Sequence, residues 1–349
     1  MRAIEDAVAV AMKLRKHYFL EEWVVVAPER RLRPHPKVGE EGAGGNGCFF
    51  CPGNEETTPP ATLVLKEVDG KIVKLAEEGD HREKNWLIRC FPNKYPILSP
   101  REGMDVHGEQ PLLERGAKGF HEVMVVTPDH EATPLTISLE QWKLILEACL
   151  DRCRWYAEHE FVKHISVIEN RGRLAGASIE HPHLQLFALS MVPPRILKEL
   201  PAFKQGCPLC ELLPLEEERK ERVVYSSPRF LAICPWASRY PYEVWIIPRK
   251  HSSAFMDLRK KEIEELAYML KTVLSALELA VPEISYNYSY ILGPLGDESY
   301  HWKVEIYPRL TTPAGFEFST DIMVNPIPPE EAASKLRKKL EELKATQRL

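Results

Sequence analysis

The chain has 349 residues, 44% of them hydrophobic, which is too long for one ordinary core and suits two domains. Its 46 basic and 51 acidic side chains leave a formal charge of −5, with no basic run long enough to make a footprint for nucleic acid or anionic lipid. No run of 18 apolar residues occurs, so a helical membrane span is not expected and a small-molecule partner is.

The N-terminal stretch MRAIEDAVAVAMKLRKHYF mixes Glu5, Asp6 and several basic residues into its apolar positions, which predicts an amphipathic helix and not a secretion signal. Eight cysteines without an export signal point to a reducing compartment, the cytoplasm by default, where paired cysteines hold metal more often than they form disulfides. Two CxxC pairs sit in matching phrases, Cys48 with Cys51 in GCFFCPGNE and Cys207 with Cys210 in GCPLCELLP. An aromatic-proline phrase follows each, FPNKYPIL and then CPWASRYPYEV. Next come two strand-like runs that end in a polar turn and a histidine, HEVMVVTPDH and YEVWIIPRKH. His130 lies eight positions on from Glu122 and, again, His251 eight on from Glu243. The next landmark histidine lies 51 residues on in the first case, at His181, and 50 in the second, at His301. Four landmarks in one order and spacing mark a chain written twice.

Between the landmarks each copy carries a helical pattern. SLEQWKLILEACLDRCRWYAEHE opens with a capping box at Ser138, and DLRKKEIEELAYMLKTVLSALELA follows Asp257 as its expected N-cap. Each helix leads into a strand, HISVIEN or ISYNYSYIL, and each copy closes on HPHLQLF or HWKVEIYP. The predicted fold class is therefore α+β, with two tandem units that each pack a helix across an antiparallel sheet. Prolines in residues 190–205 break periodicity and place the join there, giving units 1–195 and 196–349, with a last helix after Pro328 and Pro329.

Zinc takes four soft or borderline ligands, and a CxxC turn with two distant histidines supplies a closed tetrahedral set. The first unit offers Cys48, Cys51, His130 and His181, the second Cys207, Cys210, His251 and His301. One CxxC alone could equally be a redox pair or core packing; two tetrads at matched positions favour two zinc ions per chain, against the alternative that the second set merely packs. Cys149 and Cys153 read as core residues, and His17, His35, His81, His107, His121, His159 and His164 as surface or satisfied core histidines.

In HPHLQLF, period two puts His181, His183 and Gln185 on one strand face. With His181 on zinc, His183 is placed to act as a nucleophile toward phosphorus, its second ring nitrogen donating to a main-chain carbonyl. Gln185 can donate to phosphoryl oxygens without activating water. The competing reading makes His183 another metal ligand or a satisfied histidine. The second copy has Lys303 and Glu305 at these places, so it is expected to be non-catalytic and to help bind substrate. Upstream, ENRGRLAGAS supplies Asn170, Gly172, Gly176 and Ser178 for close approach to a phosphate, or simply a turn, and Arg30 and Arg33 could clamp phosphate oxygens.

ENRG, GAS and HPHLQ, with CFFCPGNE, FPNKYPIL and TPDH, resemble the galactose-1-phosphate uridylyltransferases, a branch of the histidine-triad superfamily, over nearly the whole chain. The resemblance implies tandem histidine-triad-like units. It implies transfer of a nucleotidyl group from UDP-glucose or another UDP-hexose to a hexose 1-phosphate through the counterpart of His183. It further implies zinc at Cys48, Cys51, His130 and His181, phosphate contacts from Arg30, Arg33, Asn170, Ser178 and Gln185, and nucleoside contacts near Asn93. A homodimer is implied in which Phe316 and Glu317 reach the partner's sugar phosphate. The second CxxC and YPRLTTPAGFE are also similar to ADP-glucose phosphorylases, which carry two zinc sites and use inorganic phosphate as acceptor. A non-catalytic, zinc-stapled binding protein is the rival from another class.

Overall fold

Period-two alternation sorts the strand side chains onto the two faces of one large antiparallel sheet. The computed structural model describes residues 12–16, 23–26 and 47–346. Its first half contributes β3 (Leu63–Val68), β4 (Lys71–Leu75), β5 (Trp86–Pro92), β7 (Gly119–Val125), β8 (His164–Arg171) and β9 (His183–Leu189). The second contributes β10 (Val223–Ser226), β11 (Phe230–Ile233), β12 (Val244–Pro248), β13 (Tyr286–Ile291) and β14 (Lys303–Pro308). Their order is β10-β11-β12-β14-β13-β8-β9-β7-β5-β3-β4. Outward from the centre, β8-β9-β7-β5-β3 repeats as β13-β14-β12-β11-β10, and the halves join where β8 pairs with β13, Glu169 opposite Tyr288. Each copy thereby satisfies the other's open sheet edge.

One face is covered by α1 (Leu139–Ala157) and α4 (Lys260–Ala280), with α6 (Pro329–Ala345) packed on α4. Ile263, Leu266, Leu270, Val273, Leu274 and Leu277 recur at helical spacing and bury the inner stripe of α4. The main cluster runs without a break from Ile88 and Leu184 in the first half to Tyr288 and Trp302 in the second, because the shared sheet leaves no seam at which two cores could part. The opposite face carries smaller clusters and the candidate site. Among the described residues no helix is long and apolar enough to cross a membrane.

Expectations are met in part at the head of α1, where Ser138 Oγ accepts from Gln141 N at 3.1 Å but the Gln141 amide donates to Leu87 O and Val126 O and so does not close the capping box; α6 begins at Pro329 as read. Three are corrected. Of the N-terminal stretch, residues 13–16 form a strand and not a helix: β1 (Lys13–Lys16) lies between β2 (Trp23–Val26) and β6 (Glu114–Gly116), which bond both its edges while Leu14 is buried with Leu98 and Ala117. The rest of that stretch lies outside the described residues. Asp257 sits in a short 3-10 turn, and α4 is capped at Arg259, whose N–H donates to Glu262 Oε2 at 2.8 Å. The proline-rich join is itself helical, α2 (Pro194–Lys204), followed by α3 (Pro208–Arg219); proline at N1 lacks a donor that a helix start would leave unpaired anyway.

Glu122 of β7 faces α1 and is almost fully buried, taking Arg152 Nε at 2.8 Å, Arg152 Nη2 at 3.0 Å, Thr62 Oγ1 at 2.7 Å and the Tyr156 hydroxyl. Removing the carboxylate strands a buried guanidinium. Glu122→Ala is expected to lower the free energy of unfolding by about 3–5 kcal/mol, read from denaturant melts; a loss under about 1 kcal/mol would mean that water replaces the carboxylate.

Candidate functional site

The turn at Gly47–Gly53 is closed by Cys51 N donating to Cys48 O at 3.3 Å, which brings both thiols to one side. Facing them, His130 Nδ1 lies 3.4 Å from Cys51 Sγ, and His181 Nδ1 lies 3.5 Å from Cys51 Sγ and 3.8 Å from Cys48 Sγ. A tetrahedral ion with ordinary Zn–S and Zn–N bonds has ligand-to-ligand edges of about 3.5 Å, so the four donors fit one. His181 Nε2 donates to Thr127 O at 2.7 Å, which leaves Nδ1 as the ligand nitrogen. Burial holds the His181 ring below its usual range and so neutral, while burial and the neighbouring Cys48 push the Cys51 thiol up to about 11. A bound cation would draw the proton off such a thiol and make it a ligand.

The second tetrad repeats the geometry. Cys207 caps α3, with His301 Nδ1 at 3.3 Å from its sulfur and at 3.6 Å from that of Cys210; His251 Nδ1 is 3.6 Å from Cys210 Sγ. His251 Nε2 donates to Glu298 O at 3.0 Å. In each tetrad the four donor atoms lie within 4.8 Å of one another.

β9 begins at His183, so His181 stands just before the strand and turns its ring to the cysteines. His183, Gln185 and Phe187 then alternate on the face away from the helices. His183 Nδ1 lies 2.8 Å from the His181 carbonyl oxygen and donates to it, which makes Nε2 the nitrogen with the lone pair. The edge of Phe50 meets the His183 ring at 5.2 Å between centroids. A cavity of about 140 Å³ opens here, lined by Phe50, Phe91, Asn93, Tyr95, Val123, Ser178, His183 and Gln185 among others.

Of the remaining sequence candidates, Asn93 and Ser178 line this cavity. Asn170 stands one residue beyond Glu169, the partner of Leu184, and thus beside His183 on the next strand. Gly172 and Gly176 adopt left-handed backbone, φ +78° and +82°. A side chain at Gly172 would meet Ser285 Oγ at 2.4 Å, so this glycine admits a neighbouring strand's loop. On α5 (Gly315–Thr320) Phe316 is exposed and Glu317 half-buried, and neither lines the cavity. Arg30 and Arg33 lie outside the described residues.

The second copy has a filled face in place of a cavity wall. Glu305 takes Arg195 Nη2 of α2 at 2.7 Å through both its oxygens, Arg239 Nη2 at 3.2 Å and Lys303 Nζ at 3.2 Å. Glu199 of α2 lies 3.5 Å from Lys303 Nζ and accepts from the Tyr300 hydroxyl at 2.5 Å.

The copies also differ in phase. Val123 is opposite Gln185 and Trp245 is opposite Glu305, so in space His121, not Glu122, corresponds to Glu243. The equal sequence interval of eight hides a shift by one residue, which reverses the face. His121, read from sequence as merely satisfied, is buried against Gln185 with 3.0 Å between Nε2 and Oε1. Its signal was available only in the strand register.

A family model described as a domain of unknown function, DUF4921, matches residues 125–349. A galactose-1-phosphate uridylyltransferase of Thermotoga maritima is 33% identical over 345 residues, covering 93% of this chain and 98% of its own. An ADP-glucose phosphorylase of Arabidopsis thaliana is 32% identical over 346 residues, covering 93% and 92%. A solved uridylyltransferase structure superposes with a TM-score of 0.77 at 27% identity, over 95% of this chain and 99% of that one.

Proposed function

The chain belongs to the galactose-1-phosphate uridylyltransferase family, and from that membership we propose that it is a nucleotidyltransferase exchanging a UDP-hexose with a hexose 1-phosphate in two steps. The observation that carries this reading is the His183 ring on the cavity wall, its Nδ1–H held by the His181 carbonyl. Nε2 attacks the α-phosphorus, the bond from phosphorus to the bridging oxygen breaks, and hexose 1-phosphate leaves with the electron pair. The imidazolium that forms keeps its Nδ1–H on a carbonyl oxygen, which stabilises the positive charge. An oxygen of the second hexose 1-phosphate then attacks the same phosphorus and restores neutral His183. Gln185, Asn170 and Ser178 donate to the phosphoryl oxygens, with Arg30 and Arg33 as further clamps and Asn93 toward the nucleoside. None of the three donors is a base, so the covalent intermediate is not handed to water.

The Cys2His2 donor sets suit zinc, one ion at Cys48, Cys51, His130 and His181 and another at Cys207, Cys210, His251 and His301. Bound there, zinc supplies no chemistry to the transfer and anchors the CxxC turns to the strands. We assign the protein to the cytoplasm, which its free cysteines suit, and to a homodimer in which Phe316 and Glu317 contact the partner's sugar phosphate. The exposed rings of Phe316 and Phe318 support such a contact. The second Cys2His2 set and the 32% identical relative favour one other reading, adenylyl transfer from ADP-glucose to phosphate.

Incubation with UDP-glucose or ADP-glucose labelled at the α-phosphate is expected to give an acid-labile label on His183, strongest with UDP-glucose and discharged by hexose 1-phosphate. His183→Ala should take no label and lose at least about a thousandfold in turnover. Labelling by ADP-glucose alone with discharge by inorganic phosphate would establish the second reading, and no label from either donor would leave a binding protein.

Native mass spectrometry should find two zinc ions per chain. Cys51→Ser is expected to hold one and to label about 10- to 100-fold more slowly, since the ring before the nucleophile loses its anchor, whereas Cys210→Ser should hold one and label normally. Equal effects of the two variants would refute the anchoring role of the first site.

A further inference from the structure

Gln185 and Asn170 serve a diphosphate only if their amide NH2 groups face it, because an anionic oxygen needs donors and a carbonyl would repel it. We propose that His121 and Asn287 are positioning residues that lock these two amides with NH2 forward, each transmitting the polarity of a backbone group. The proposal rests on the nucleotidyl-transfer reading of the cleft.

The first relay starts at Ile97, whose backbone N–H points at His121 Nδ1 over 3.2 Å. A backbone N–H can only donate, so Nδ1 holds the lone pair and Nε2 holds the proton. That proton has Gln185 Oε1 at 3.0 Å as acceptor. Asn93 Nδ2 lies equally near Nε2, at 3.0 Å, with the Asn93 oxygen held by Tyr95 N at 2.8 Å; it therefore faces the Nε2 proton donor to donor, an unfavourable contact that the backbone donor at Nδ1 imposes. With Oε1 engaged, the Gln185 NH2 is left for the cavity that this residue lines. Stacking of the His121 ring on Phe187, 4.3 Å between centroids, fixes the plane in which the proton is presented.

The second relay starts at the Ala175 carbonyl, which takes Asn287 Nδ2 at 2.8 Å. A carbonyl can only accept, so that end of Asn287 is the NH2, and its other hydrogen goes to Asn170 Oδ1 at 2.8 Å. Asn170 must then turn its own NH2 away from Asn287. An amide alone can flip its ends within the same volume, but one tied to a backbone group cannot without losing a hydrogen bond. Asn287 belongs to β13, so the second copy, its own face filled, orients a donor in the first.

The test is a pair of double-mutant cycles read by single-turnover labelling of His183 from UDP-glucose or ADP-glucose, whichever labels wild type. His121→Phe keeps a ring on Phe187 and removes the Nε2 proton; it should slow labelling about 10- to 100-fold. Combined with Gln185→Ala it should be no slower than Gln185→Ala alone, because the same donor is lost once. Asn287→Ala with Asn170→Ala should behave likewise. Wild-type rates in His121→Phe and Asn287→Ala, or effects that add fully, would overturn the proposal; a general structural role would produce such additivity. A second readout does not depend on turnover. Ring nitrogen NMR of the resting protein should find His121 protonated at Nε2 and bare at Nδ1, and the reverse tautomer would overturn the first relay even in an active enzyme. Failure of every donor to label a protein with the expected tautomer would count against nucleotidyl transfer, not against the relay.

Discussion

The hydrogen bond from His183 Nδ1 to the His181 carbonyl, 2.8 Å long, is the constraint on which the rest of the site depends. It joins two functions two residues apart, one just before β9 and one at its first residue. The His181 ring belongs to the Cys48, Cys51 and His130 cluster, while its main-chain oxygen sets the tautomer of the next histidine. Because a backbone carbonyl cannot become a donor, Nδ1 keeps its proton, and the neutral His183 ring carries its lone pair at Nε2. Position and tautomer are therefore secured by the same few atoms.

Duplication explains why the sheet is so large, and divergence explains why the matching faces differ, a cleft beside β9 and a filled face beside β14. The copies meet at β8 and β13, where each covers an edge that would otherwise invite pairing with another chain. In the first copy, His183 and Gln185 line a cleft and leave room beside them. In the second, Lys303 and Glu305 are charged and buried, and charges taken out of water must be paired. Arg195 and Glu199 of α2, together with Arg239, supply that pairing and fill the corresponding space. The second half still acts on the first, through Asn287 at the seam.

Much of this was legible in the residues. The CxxC pairs, the distant histidines and HPHLQ carry their chemistry in residue type, and their spacing survives any small error in strand register. The helices α1, α4 and α6 were equally plain, since apolar spacing and N-terminal proline or serine act locally. What failed had been read from local pattern alone. Residues 13–16 contain a helix-compatible pattern, yet two neighbouring strands bond their backbone; the prolines of α2 looked like breaks because only the one at its first turn is compatible with a helix by intrinsic preference.

The sequence by itself determined the tandem repeat, the two sets of sulfur and imidazole donors and the identity of the candidate nucleophile, because these depend on which side chains exist and how far apart they fall along the chain. Only the tertiary structure decided that Glu122 faces a helix while Glu243 faces the opposite side, that α2 closes the second copy, and that His121 and Asn287 stand behind Gln185 and Asn170. The reason is the period of the strand: a shift by one residue exchanges the faces, and the partners that reveal the shift lie far away in sequence.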